Sequence, residues 1–201
     1  MKRRINFPDF QIESMKLRLH GFESASRANG PGLRAVVWFQ GCTLVCPGCF
    51  NPETHNPEKG YETDIDSLFH EIISSKNPIE GVSFSGGEPF QQPKALLYLL
   101  KLIRKTKLSI LVFSGYMFQE IEKFPLVGCI LQHIDVLIAG RYIQSQHLGH
   151  SLLGSSNQKI HLLTNRYHIK DFENIPEYEA IIHRDGTITI TGIGEKFKAG
   201  L

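Results

Sequence analysis

GVSFSGG (residues 81 to 87), PKALLYLLKLIRKT (93 to 106), LSILVFSGY (108 to 116) and IDVLIAG (134 to 140) set three strand-like apolar runs around a helix-length segment. That rhythm constrains the fold more than any other feature, because neighbouring parallel strands need a long crossover and a helix is its usual form. Upstream, MKLRLHGF (15 to 22) and LRAVVWFQG (33 to 41) read as strands. DIDSLFHEIISSK (64 to 76) carries Ile65, Leu68, Phe69, Ile72 and Ile73 at helical spacing behind Thr63 or Asp64 as cap. A further helix is expected over Met117 to Lys123. The expected core is α/β with six or so parallel strands, and ligands on such sheets bind at the carboxyl ends of the strands. Gly86, Gly87, Ser114, Gly115 and Gly140 all fall there.

After Gln158 the pattern changes. YEAIIHRDGTITITG (178 to 192) alternates β-branched with polar residues around Asp185-Gly186, a hairpin turn signal. The expected organisation is a core domain over residues 1–164 and a C-terminal extension over 165–201 whose β-hairpin packs on the core or is appended to it.

The 201 residues are one domain's worth of chain, 41% hydrophobic, with 21% charged residues and a formal net charge of +2. Such a surface gives no support to nucleic-acid or membrane-surface binding. No run of 18 apolar residues occurs, and MKRRINFPDFQIES has no apolar segment behind its basic residues. The expectation is a cytoplasmic protein with no membrane span, signal peptide or nucleic-acid partner.

Three of the four cysteines lie within GCTLVCPGCFNPETH (41 to 55), as Cys42, Cys46 and Cys49 in a C-x3-C-x2-C array. Cytosolic thiols stay reduced, so clustered cysteines there are more often ligands or catalysts than bridges. Gly41, Pro47 and Gly48 let the loop wrap back toward one centre. A structural zinc site needs four ligands, whereas three thiolates can hold an iron–sulfur cluster with one iron open. Zinc bound by the three cysteines and His55 stands as the rival reading. Cys129, in the apolar stretch PLVGCILQHI, reads as a small hydrophobe, and His147 and His150 as solvated loop side chains.

A second motif, SFSGGEPF (83 to 90), ends the next strand. C-x3-C-x2-C followed by a strand ending in GGEP resembles the radical S-adenosylmethionine enzymes. Longer blocks, GPGLRAVVWFQGCTLVCPGCFNPET (30 to 54), VFSGY (112 to 116), IDVLIAGRYI (134 to 143) and LLGSSNQKIH (152 to 161), resemble the anaerobic ribonucleotide reductase activating proteins over residues 15 to 162.

The resemblance implies an incomplete α/β barrel of the radical S-adenosylmethionine type. It implies a [4Fe-4S] cluster on Cys42, Cys46 and Cys49, with the methionine part of S-adenosylmethionine on the open iron. Gly86 and Gly87 would let backbone approach that cofactor, Glu88 would face its ammonium, and Gly48 and Phe50 its adenine. Ser114 would bond its ribose or carboxylate, or is an ordinary strand-end hydroxyl. The implied activity is reductive cleavage to a 5′-deoxyadenosyl radical that makes a glycyl radical on a partner enzyme, with a low-potential donor such as flavodoxin or ferredoxin. The same build acting on another peptide or a small molecule is the first alternative, and a non-enzymatic metal-binding module the second.

Some positions depart from the family pattern. Gly48 stands where many members of the superfamily put an aromatic residue before the third cysteine, although the activating-protein group resembles this CPGC-aromatic arrangement; Asn29 stands where a carboxylate often precedes GPG, and Ala139 where Asp often precedes Gly140. The last two bear on partner or substrate contacts. Arg34 either serves an anionic group or is a solvated loop arginine, and Asn157 and Gln158 owe their interest to the family block alone.

Overall fold

The computed structural model describes residues 15–193; the basic start of the chain and its last eight residues lie outside them. The chain opens with β1 (Lys16–Ser26) and β2 (Arg34–Phe39), crosses through the cysteine loop to β3 (Tyr61–Asp64) and α1 (Ile65–Ile73), and enters β4 (Gly81–Gly86). Then follow α2 (Pro93–Ile103), β5 (Ser109–Ser114), α3 (Phe118–Ile121), α4 (Val127–Leu131) and β6 (Val136–Ala139). Short strands β7 (His147–His150) and β8 (Leu153–Ser155) precede β9 (Lys159–Leu162), and the chain ends in the hairpin β10 (Tyr178–Ile182) and β11 (Ile188–Gly192).

Seven strands form one sheet in the order β3-β1-β2-β4-β5-β6-β9. Its two edge strands, β3 and β9, do not pair with each other, so the sheet is open. Only β2, β4, β5 and β6 run parallel, which corrects the expectation of six or so parallel strands. β1 pairs with β2 and β3, and β9 with β6, antiparallel. The reason is connection length: residues 27 to 33 are too few for a crossover, so β1 and β2 can only fold back on each other.

Local signals set the helices. The Asp64 side chain caps α1 by accepting the Ser67 amide at 2.8 Å, and Pro93 occupies the first position of α2, where a missing N–H costs nothing. The helix expected over Met117 to Lys123 shrinks to the four residues of α3. The apolar stretch that follows makes a second short helix, α4, where Cys129 is exposed rather than buried as a hydrophobe.

The two faces of the sheet differ. Ala35, Val37, Val82, Phe84, Ile110, Val112 and Leu137 join Leu96, Leu99 and Ile72 of the helices in the main core. The alternate residues point away from the helices. Leu111, Val136 and Ile138 pack there under Leu152, Tyr167 and Phe172 in a smaller cluster.

Arg34, the first residue of β2, also lies on that second face and is 0% exposed. Its guanidinium donates to Ser83 Oγ at 2.7 Å, Ser109 Oγ at 2.9 Å, Val82 O at 3.0 Å, Pro31 O at 3.2 Å and Tyr167 Oη at 3.2 Å. Both sequence readings of this residue are therefore corrected. It is neither solvated nor available to an anionic ligand, because a buried guanidinium keeps its charge only with its donors satisfied, and here they join the starts of three strands.

Candidate active site

The helix-free face and the carboxyl ends of the parallel strands enclose a cavity of about 390 Å³. Trp38, Ser85 and Phe113 form its floor. Cys42, Cys46, Cys49 and Phe50 enter from the loop after β2, and Gly86, Gly87 and Glu88 from the end of β4. Ser114, Gly115 and Gly140 reach it from the ends of β5 and β6. Of the residues expected to hold the cluster or the cofactor, Gly48 alone lies outside this lining; it turns the cysteine loop at φ +72°, and a Cβ there would meet the Gln144 side chain at 2.8 Å.

The two motifs are joined by backbone. Gly87 N donates to Phe39 O at 2.8 Å and Glu88 N to Gly41 O at 2.9 Å, so the GGEP turn is hydrogen-bonded to the root of the cysteine loop. A Cβ on Gly86, held at φ +94°, would meet Phe39 N and O at 2.6 Å, and one on Gly87 would meet Gly41 O at 2.3 Å. Glycine is thus demanded here by the close approach of protein backbone itself. On the other side of the loop, Gly41 N donates to Thr54 O at 2.8 Å and Cys42 N to His55 O at 3.0 Å. Gln91, which sequence reasoning passed over, accepts the Thr43 amide at 3.1 Å and donates to Thr43 Oγ1 and Tyr116 Oη, both at 2.8 Å.

Glu88 is 0% exposed. Its carboxylate accepts from Phe90 N at 3.0 Å, Gly115 N at 2.8 Å and Ser114 Oγ at 3.0 and 3.1 Å. Burial pushes its pKa up from 4.5 to about 7, against the pull of those donors. Phe50 lies 4.7 Å from Tyr142 between ring centroids, and His147 is 5.8 Å away, which makes an aromatic wall. Tyr142 lay in the block IDVLIAGRYI without being selected from it, and His147 was read only as a solvated loop side chain.

None of the four cysteines forms a disulfide, and the three of the loop are half-buried. Burial, with Glu88 and Cys49 nearby, pushes the Cys42 thiol up, while backbone amides of Leu44 and Val45 pull it down. Such a thiol becomes a thiolate most readily by binding metal. His55 lines the same cavity, and its Nε2 is buried without a hydrogen-bond partner. Among the described residues no three His, Cys, Asp or Glu side chains converge on one point as ligands of a single ion do. Zinc on Cys42, Cys46, Cys49 and His55 therefore has no support in the geometry. Three thiols lining one cavity are the donor type that an iron–sulfur cluster takes.

Asn157 and Gln158 are placed as braces. Asn157 Nδ2 donates to Arg141 O and Gln158 Nε2 to Gly140 O, both at 2.8 Å, and Gln158 Oε1 accepts the amides of Gly154 and Ser155. Asn29 is buried, donating to Ser26 Oγ at 2.9 Å and Thr191 Oγ1 at 2.8 Å. The second of these bonds brings the C-terminal hairpin to the cavity, which Thr189 to Ile193 help to line.

A mixed α/β sheet with three thiols at the ends of its parallel strands defines a cluster-binding domain. The chain belongs to the family of 4Fe-4S single cluster domains, which it matches over residues 28–161. It is 31% identical to the anaerobic ribonucleoside-triphosphate reductase-activating protein of Vibrio cholerae over 157 residues, 74% of this chain and 99% of that protein. The protein of that name from Enterobacteria phage T4 is 30% identical over 138 residues, 66% of this chain and 85% of its own length. The pyruvate formate-lyase-activating enzyme of Clostridium pasteurianum is 36% identical over 126 residues, and the chain spans only 50% of that enzyme's length. No helix among the described residues is long and apolar enough to cross a membrane.

Proposed function

We propose that this chain is a radical S-adenosylmethionine activase that places a glycyl radical on an anaerobic ribonucleotide reductase or a related enzyme. The observation that carries the reading is the backbone pairing of the cysteine loop with the GGEP turn around one cavity. The names of the relatives point the same way.

Cys42, Cys46 and Cys49 would hold a [4Fe-4S] cluster. The chemistry supplied by that bound group is one-electron reduction of S-adenosylmethionine, giving methionine and a 5′-deoxyadenosyl radical, with the electron taken from a flavodoxin- or ferredoxin-type donor. The chain's own part is to position and to exclude water. The backbone of Gly86 and Gly87 forms the wall beside the cysteine loop, Phe50 with Tyr142 offers an aromatic face for adenine, and Trp38 and Phe113 keep the floor apolar. Glu88 and Ser114 act on the cofactor through the wall they fix: their side chains are bonded to each other and to the loop amides.

The test is anaerobic. Reconstituted protein is reduced with dithionite, given S-adenosylmethionine and assayed for 5′-deoxyadenosine, with Cys46→Ala alongside. Product that disappears in the variant is expected. An anaerobic ribonucleotide reductase or pyruvate formate-lyase from the same genome is then added and the glycyl radical sought by electron paramagnetic resonance. Absence of 5′-deoxyadenosine from protein with a full iron complement overturns the radical chemistry; its formation without a radical on either enzyme leaves the chemistry and overturns the activase.

A further inference from the structure

The C-terminal hairpin is built inside out. Its inward face is polar apart from Ile181: Glu179 accepts from Ser26 Oγ and Arg27 N at 2.8 Å, Thr191 accepts from Asn29, and Thr189 meets His183 Nε2 at 2.7 Å. Its outward face is apolar, with Ile182 77%, Ile188 61% and Ile190 56% exposed beside Ala180. A two-stranded sheet that covers a core does the reverse, turning its apolar face in, and a contiguous exposed apolar face marks an interaction site.

The hairpin also has an open edge. His183 N donates to Thr187 O and Ile193 N to Glu177 O, so with alternating pairing the amides and carbonyls of Ile188, Ile190 and Gly192 point away from β10. β10 and β11 form a sheet of two strands, and among the described residues no third strand pairs with them. β11, not β10, lines the cavity, and Ile190 belongs to both the cavity wall and the apolar face.

We propose that the β10–β11 hairpin docks an extended, glycine-bearing segment of the partner enzyme, which adds to the edge of β11 and lays apolar side chains on Ile182, Ile188 and Ile190. The inference rests on the activase reading above, and it supplies what that reaction needs. A Cα hydrogen in a large protein must be carried to a cavity on the helix-free face, and an unpaired strand edge beside the cavity recognises extended backbone of just that kind. Apolar contacts at Ile182 and Ile188, outside the cavity lining, add affinity.

The experiment uses holoenzyme with the double variant Ile182→Thr/Ile188→Thr, which removes the apolar surface and keeps β-branched side chains. The variant Ile182→Lys/Ile188→Lys is run beside it. Neither residue lines the cavity, so 5′-deoxyadenosine formation without partner should match wild type, which also shows that the variants fold. With the anaerobic ribonucleotide reductase or pyruvate formate-lyase of the same genome, the partner concentration for half-maximal glycyl radical formation should rise roughly tenfold or more, with the rate at saturation little changed. Unchanged half-saturation in both variants overturns the docking role while wild-type radical formation upholds the activase. No radical from wild type on either enzyme overturns the activase reading and this inference with it. A wild-type dimer that either variant converts to monomer, measured by sedimentation, assigns the face to a second copy of the chain and overturns the proposal.

Discussion

Ser114, at the end of β5, donates its hydroxyl into the carboxylate of Glu88, at the end of β4, 3.0 Å from one oxygen and 3.1 Å from the other. The Gly115 and Phe90 amides reach the same carboxylate. Two strand ends that flank the cavity are thereby locked together by one buried acid. The cavity wall can stay fixed while a cofactor binds, because the group that fixes it is shielded from solvent.

This acid makes stability depend on pH. Its pKa is pushed up to about 7 in the folded protein, so the folded state holds the proton more tightly than the unfolded one. The associated stabilisation is complete below about pH 4.5 and is lost as pH rises through about 7. Glu88→Gln removes that titration. In urea unfolding, the stability of wild type minus that of Glu88→Gln should fall by up to about 3 kcal/mol between about pH 5 and about pH 8. A difference independent of pH would show that Glu88 titrates normally.

Arg34→Ala should cost about 3–5 kcal/mol. The change leaves a hole at the starts of three strands and strips partners from Ser83, Ser109 and Tyr167. Denaturant titration of the purified variant checks the cost, and a loss below about 1 kcal/mol would contradict the bonding described.

Gly87→Ala should disturb the cysteine loop although it touches no cysteine. The new Cβ falls 2.3 Å from Gly41 O, and backbone must move to admit it. A loss of about 1–3 kcal/mol is expected, with lower iron content after reconstitution. Cys129→Ser, at an exposed site on α4, should leave both iron content and stability as in wild type, and equal iron content in the two variants would argue against the coupling.

Phe50→Ala should weaken S-adenosylmethionine binding while sparing the iron. Its ring packs 4.7 Å from Tyr142 on the cavity wall, and removing an aromatic face of that kind is worth roughly 0.5–1.5 kcal/mol beyond area, a several-fold rise in Kd. Equilibrium binding to the reconstituted protein reads it directly, and an unchanged Kd would place adenine elsewhere.

Periodicity and spacing by themselves determined the alternating α/β core, the helix that follows Thr63 or Asp64, the hairpin around Asp185-Gly186 and the grouping of three cysteines in one glycine-broken loop. These are local properties, and the chain carries them in consecutive residues. What lay beyond it was long-range. Strand direction at β1 and β9 follows from connection length and edge position, not from composition, and the edge strands β3 and β9 are too short to show a period. Arg34 looked like a surface residue because nothing near it in sequence reveals that Ser83, Ser109 and Tyr167 meet it across the sheet. That Ser114 bonds the Glu88 carboxylate was out of reach for the same reason. The hairpin's alternation was plain, but its polarity was not: only the packing of Glu179 and Thr191 against residues 26 to 29 decided which face turned inward. Burial and hydrogen bonding are settled by which distant segments meet, and that is decided when the sheet assembles.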